Sequence, residues 1–185
     1  MSQYLINSFS VAPAGFDLSE LKAYWKFNES SGDILNSSSS DESLGSSANA
    51  TVSGMTYNTS GSSPFGYEGE FDGTNDNLVV GSSTSIFNFC HNVNCKWSLN
   101  AWVQTDIVTV QQLFATMDDR SGTNRGMSAY VSQGSNGSSV GVGCGIYSGS
   151  SGVYPISFEN TSALISDTNW HMLTYTYDQT ITDDN

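Results

Sequence analysis

Charge is what this sequence has least of. Only 12% of its 185 residues are Asp, Glu, Lys or Arg, about half the share of an average soluble protein. Cations are scarcest: five Lys and Arg stand against eighteen Asp and Glu, for a net charge of −13. Phosphate binding needs a basic footprint, so this balance excludes a nucleic-acid partner and disfavours anionic membranes. The acidity is compatible with cation binding and equally with plain solubility. Long apolar runs are missing too. None approaches the roughly 18 residues of a transmembrane helix, so no membrane insertion is expected. The first ten residues, Met1-Ser-Gln-Tyr-Leu-Ile-Asn-Ser-Phe-Ser10, have no basic region and no apolar core, so they do not read as a signal peptide. With Met1 in place, this predicts a chain outside the general secretory route, unless a leader was removed earlier.

Histidine and cysteine are sparse, which limits chemistry. His91 and His171 are the only two histidines, and no nucleophile-elbow motif accompanies them. The three cysteines are Cys90, Cys95 and Cys144. Cys90 and Cys95 bracket His91-Asn-Val-Asn94, which allows a short disulfide loop, two free thiols or two metal ligands. A zinc site wants a second pair, and one cysteine remains. Cys144 lies in the apolar run Val140-Gly-Val-Gly-Cys-Gly-Ile-Tyr147 and reads as a small buried hydrophobe.

What fills the gap is Ser, Thr, Asn and Gly, around a hydrophobic content of 37% and an aromatic content of 12%. That is the composition of strands with neutral outer faces and many loops. Residues 1–18 read as an arm broken at Pro13-Ala-Gly15, with one helical turn near Asp17-Leu-Ser-Glu-Leu21. Leu21–Asn28 alternates Leu21, Ala23, Trp25 and Phe27 with Lys22, Tyr24, Lys26 and Asn28, which predicts a first strand. The polar stretch 37–47 reads as a loop. Strands are expected over Ala50–Tyr57, Lys96–Thr105, Val108–Met117, Gly126–Ser132, Ser138–Ser148, Val153–Phe158 and Asn169–Asp178. The Gly-rich one suggests a bulge or a close neighbour, and Pro155 an edge or a bulge. Phe65–Val80 reads as a hairpin about the turn Asp72-Gly-Thr-Asn-Asp-Asn77. About ten short strands without helical periodicity or a fixed repeat predict an all-β sandwich.

Four segments, in order, resemble the laminin-G-like, concanavalin A-like jelly-roll family. They are Leu21-Lys-Ala-Tyr-Trp-Lys-Phe-Asn-Glu-Ser-Ser-Gly32, Phe71-Asp-Gly-Thr-Asn-Asp76, Trp97-Ser-Leu-Asn-Ala-Trp-Val103 and Trp170-His-Met-Leu-Thr-Tyr-Thr-Tyr-Asp178. The resemblance covers roughly residues 20 to 178. It implies an antiparallel jelly-roll sandwich, with an arm at 1–18 and the domain at 19–185. Members usually continue with a "Y-x-(D/N)-G" turn and a closing strand, which this chain lacks. The expectation is therefore an incomplete jelly roll: a fragment, or a subunit whose neighbours cover the exposed edge.

Some relatives of this fold are glycoside hydrolases with paired carboxylates along one strand. Glu68, Glu70 and Asp72 share a face, but the apolar surround of such a strand is missing and the turn motif accounts for Asp72. No catalytic residue is therefore assigned. Calcium is the expected cofactor. Asp72, Asn75 and Asp76 offer oxygens within one turn, Asp118 and Asp119 would complete the set, and members of the family often hold calcium at the sandwich rim. An EF-hand is excluded, because the sixth position from Asp72 is Asn77 and the twelfth is Ser83. For glycans, Tyr57, Tyr67, Tyr147 and Tyr154 are candidate platforms, with core packing as the competing role. Sequons at Asn28, Asn36, Asn49, Asn58, Asn136 and Asn160 arise readily by chance in so polar a chain, and without a leader their use is not expected.

The functional expectation is a non-catalytic recognition or adhesion module for a glycan or protein surface, assembled with neighbouring subunits. A virion tail, fibre or capsid decoration fits, as does an extracellular assembly. The alternatives are a fragment of a secreted adhesin, an accessory domain of a glycan-processing enzyme, and a purely structural shell protein.

Overall fold

A computed structural model describes residues 3–6, 19–81, 83, 85–105, 111–116, 125–133, 140–148, 156–160 and 168–181. Its elements are β1 (Gln3–Ile6), β2 (Ala50–Ser53), β3 (Thr56–Asn58), β4 (Glu68–Phe71), β5 (Asn77–Val80), β6 (Lys96–Gln104), β7 (Gln111–Ala115), β8 (Arg125–Gln133), β9 (Val140–Ser148), β10 (Ile156–Asn160) and β11 (His171–Asp178). Short 3-10 turns at Gly45–Ala48 and Asn88–His91 are the helical elements among the described residues. The protein is all-β. Among the described residues the strands form three sheets, in the orders β11-β6-β1-β4-β3, β10-β9-β8-β7 and β2-β5. The chain divides into two compact units, one of residues 1–86, 101–105 and 169–173, the other of 87–100, 106–168 and 174–185.

In the first unit, the hairpin expected at Phe65–Val80 is not formed. β4 pairs with β3 and β1, whereas β5 pairs with β2. The true hairpin is longer. Ala50 faces Val80 at one end and Asn58 faces Glu68 at the other, and the loop 59–67 closes it. Midway, Gly54 and Met55 on one arm stand against Phe71 to Asp76 on the other. The turn residues at 72–77 are therefore an excursion within one arm. The reason is local: the backbone N–H of Asp72 donates to Asp76 Oδ2 (2.6 Å), and that of Thr74 donates to Asp72 Oδ1 (2.8 Å). The excursion closes on itself without a partner strand.

The first strand is a second correction. Over Leu21–Asn28 there is one isolated bridge, Trp25 to Asn36, in place of a ladder. Side chains of the Ser-rich loop occupy the positions a neighbouring strand would take. Asn36 Oδ1 accepts from the backbone N–H of Tyr24 (2.9 Å), and the hydroxyls of Ser38 and Ser40 both donate to the carbonyl of Leu21 (2.6 Å each). Phe27 then turns to φ 57°, which ends extension. The alternation still buries its ring. Phe27, Ile34, Ala50 and Met55 form a core, with Trp25, Val52, Tyr57, Phe71, Leu78 and Val80 packed around it. Trp25 Nε1 donates to the carbonyl of Ala48 (2.7 Å), satisfying its polar end.

Residues 1–18, expected as an arm, contribute β1 to the five-stranded sheet, between β4 and β6. Of the expected helical turn, Ser19, Glu20 and Leu21 are described; Ser19 and Glu20 lie in a turn and Leu21 does not.

In the second unit, β7 to β10 form a meander. The β8–β9 ladder is unbroken from Arg125 against Ser148 to Gln133 against Val140, so the glycines of β9 carry no bulge. The irregularity falls in β7, between Gln112 and Phe114. β10 lies at an edge, as Pro155 suggested, although Pro155 itself is outside the described residues. Met127, Ala129 and Val131 are buried at alternate positions of β8. Tyr175 is buried as well and donates to the carbonyl of Tyr130 (3.1 Å). Contacts between Lys96 and Asp178, Trp97 and Tyr177, and Asn100 and Thr174 run in opposite order along β6 and β11. The third and fourth family-like segments are thus neighbours.

Candidate functional site

The most constrained polar group described in the first unit is Glu68. Its side chain is 1% exposed. The strand β4 carries it under the loop 59–67, whose backbone supplies donors. Oε2 accepts from the N–H of Ser63 (2.9 Å), Oε1 accepts from Nδ2 of Asn58 (2.9 Å), and the backbone of Ser62 adds a further bond. The loop cannot come so close with a side chain at position 61. A Cβ on Gly61 would lie 2.0 Å from the Glu68 carboxyl carbon. Burial pushes the Glu68 carboxyl above its ordinary value, the charge of Glu70 adds to this, and the N–H bonds pull the other way without cancelling it.

Glu68 and Glu70 are consecutive outward positions of one strand, as the alternation requires. They do not make an open pair, because the loop covers Glu68. The same loop brings an aromatic contact that sequence reasoning missed. Phe65 meets Trp102 edge-on, with centroids 5.6 Å apart and planes at 75°, and two residues later Tyr67 is 41% exposed. Pro64-Phe65 in a polar loop was the available signal. Of the other candidate platforms, Tyr57 is partly buried against the core and its hydroxyl donates to the carbonyl of Gly32. Burial raises that phenol's pKa, with Glu29 and Asp33 adding. Tyr147 lies in β9, and Tyr154 lies outside the described residues.

Asp72, Asn75 and Asp76 do share one turn. Asp76 Oδ2 and Asp72 Oδ1 are committed to the backbone donors named above, and Asn75 lends its carbonyl to Asn77 Nδ2 (3.3 Å). The other oxygen of Asp76 faces Gly54, where an added Cβ would lie 1.9 Å from it. Asp118 and Asp119 lie outside the described residues. Among the described residues no three His, Cys, Asp or Glu side chains converge on a metal position. The described part of the set thus falls short of the six to eight oxygens calcium takes.

Gly54 is the hinge of this corner, at φ 82°. Gly54→Ala is expected to cost roughly 1–2 kcal/mol for the left-handed backbone, plus the displacement of Asp76. Chemical denaturation of Gly54→Ala against Asp76→Ala checks this. If the methyl acts through Asp76, the double variant loses less than the sum.

Cys90 and Cys95 are buried free thiols, with Cys95 Sγ donating to the carbonyl of Cys90 (3.1 Å). Burial pushes the Cys90 thiol up to about 12, helped by Cys95, and raises Cys95 as well. Thiols held protonated in this way are poor nucleophiles and poor metal ligands. Cys144 sits opposite Ala129 in the β8–β9 ladder. His171 opens β11, half-buried.

No protein-family model matches this chain. Neither a curated protein nor a solved structure matches it. Fold and site together define an all-β protein whose buried strand carboxylate fastens a loop.

Proposed function

We propose that this chain is a non-catalytic recognition or adhesion module with a laminin-G-like jelly-roll sandwich, binding a glycan or protein surface within an extracellular or virion assembly. The observation that carries the reading is the state of Glu68. The strand that would present paired carboxylates to a substrate instead uses its buried one to accept N–H donors from Asn58 and Ser63. A general acid or nucleophile has to reach a substrate atom; this carboxylate reaches the protein's own backbone. The order of the four family-like segments supports the jelly roll. So does the packing of Phe27 in the core and of Trp97 against Tyr177 on neighbouring strands. The exposed Tyr67, beside the Phe65–Trp102 contact in sequence, gives the module an aromatic surface of the kind sugars stack on.

Screening the chain on a glycan array, with and without a calcium chelator, tests this reading. Binding that Tyr67→Ala reduces several-fold is the expected result. Loss of binding with chelator would implicate Asp72, Asn75, Asp76, Asp118 and Asp119. Flat arrays together with turnover of a polysaccharide would overturn the reading, and flat arrays alone would favour a protein surface or neighbouring subunits as the partner.

A further inference from the structure

The fold sorts the sequons. Four of the six have described side chains: Asn28, Asn36, Asn49 and Asn58. Asn36 uses its whole carboxamide. Oδ1 accepts from the N–H groups of Tyr24 (2.9 Å) and Ser38 (3.0 Å), and Nδ2 donates to Ser43 Oγ (3.2 Å) and the carbonyl of Gly45 (2.9 Å). Asn49 Oδ1 accepts from the N–H of Asn36 (2.9 Å). Asn58 donates from Nδ2 to the buried Glu68 (2.9 Å) and accepts from the N–H of Ser60 (3.2 Å). A sugar on Nδ2 of Asn36 or Asn58 would displace these bonds, and at Asn58 it would have to enter the Glu68 cradle.

Asn28 differs on each count. It is exposed, and it follows the left-handed Phe27, which turns the chain at that point. Its sequon continues through Glu29 to Ser30, which is exposed in a bend. An acceptor sequon has to adopt a local turn, with its carboxamide and hydroxyl outside the fold. Asn28 and Ser30 are both exposed, and the chain bends at Ser30 just after the left-handed Phe27.

We propose that Asn28 is an N-glycosylation site, and that Asn36 and Asn58 are closed to this modification by the fold. The co-substrate is a lipid-pyrophosphate-linked oligosaccharide. Nδ2 of Asn28 forms a bond to the anomeric carbon of the first sugar. The bond from that carbon to the pyrophosphate oxygen breaks, and the lipid pyrophosphate leaves with the electron pair. One Nδ2 proton passes to a base of the transferase. The proposal rests on the extracellular reading above, since the donor is met on the export route.

The test uses the full chain made without glycans and folded. It is incubated with a purified eukaryotic-type oligosaccharyltransferase and a lipid-linked oligosaccharide, and occupancy is read by peptide mass spectrometry. A synthetic peptide spanning residues 24–34 and the urea-unfolded chain serve as comparisons. Transfer to Asn28 of the folded chain is expected, at least tenfold above Asn36 and Asn58, and Asn28→Gln abolishes it. The unfolded chain is expected to accept at several of the four. The proposal fails if folded Asn28 is unmodified, whatever the peptide does, or if folded Asn36 or Asn58 is modified as readily. Since the glycan array above uses unmodified protein, a flat array and an empty Asn28 are separate results.

Discussion

Glu68→Ala is expected to lower the stability of the first unit by roughly 2–4 kcal/mol, since the donors left behind in a buried site each cost about 1–3 kcal/mol. Those donors are Nδ2 of Asn58 and the N–H of Ser63, with the backbone of Ser62 beside them. Glu68→Gln keeps the shape and one acceptor oxygen but turns an amide NH2 toward one of the donors, so a smaller loss of roughly 1–2 kcal/mol is expected. Gly61→Ala attacks the same contact from the loop side, because its methyl has no space next to the carboxyl. Urea unfolding of the three variants checks the set, and a loss under about 0.5 kcal/mol for Glu68→Ala would refute the cradle. The pH dependence has a definite sign. Burial holds the folded-state value of Glu68 above its ordinary 4.5. The folded chain therefore binds this proton more readily than the unfolded one, and the contribution is complete below about pH 4.5 and is lost as pH rises through the folded value. The stability gap between wild type and Glu68→Gln should accordingly narrow as pH is raised from 4.5 toward neutrality. A gap that widens would mean the N–H bonds outweigh burial.

This cradle was only half legible in the sequence. Alternation placed Glu68 and Glu70 on one face, correctly, because side-chain period 2 is a property of any extended strand. What covers a face is a long-range matter, and no periodicity in 59–67 announces that Ser63 will return over β4. The turn at 72–77 failed for a related reason. Asp72, Gly73 and Asp76 do form a self-bonded turn, but turn chemistry does not say whether the flanking strands pair with each other. Here they pair with β2 and β3, and the register slips between them. The strand expected at Leu21–Asn28 was read from an alternation of which the structure keeps the burial of Phe27. Its ladder is missing because Asn36, with Ser38 and Ser40 of the polar stretch read as a loop, supplies the hydrogen bonds instead. The strands at Lys96–Gln104, Arg125–Gln133, Val140–Ser148 and His171–Asp178 were each read to within two residues of their observed limits, since each is long and carries apolar residues in alternation.

Phe27 and Gly69 give the second large effect, and their coupling is more informative than either loss. Phe27 is 4% exposed at the centre of the first core. Truncating it to Ala is expected to cost roughly 3–5 kcal/mol, the usual range for a buried aromatic. Gly69 lies opposite Tyr57 on the neighbouring strand and is buried. A Cβ placed on it would stand 2.9 Å from Phe27 Cδ1 and 2.5 Å from Met55 Sδ. Gly69→Ala alone should therefore overpack the core, at roughly 1–3 kcal/mol. In the Phe27→Ala background the added methyl enters space the ring has left, and Met55 is flexible enough to move aside. The double variant is then expected to be more stable than the sum of the single losses by roughly 1–2 kcal/mol, within the range for residues in contact. Additive losses would show that the strain of Gly69→Ala comes from Met55 or from the strand itself. The first family-like segment would then owe its place to the bridge at Trp25 rather than to the ring of Phe27 seated on β4. A coupled result places the ring against the glycine and explains why a residue at φ 57° is nevertheless a phenylalanine. The backbone cost of about 1–2 kcal/mol for that conformation is smaller than the burial it allows.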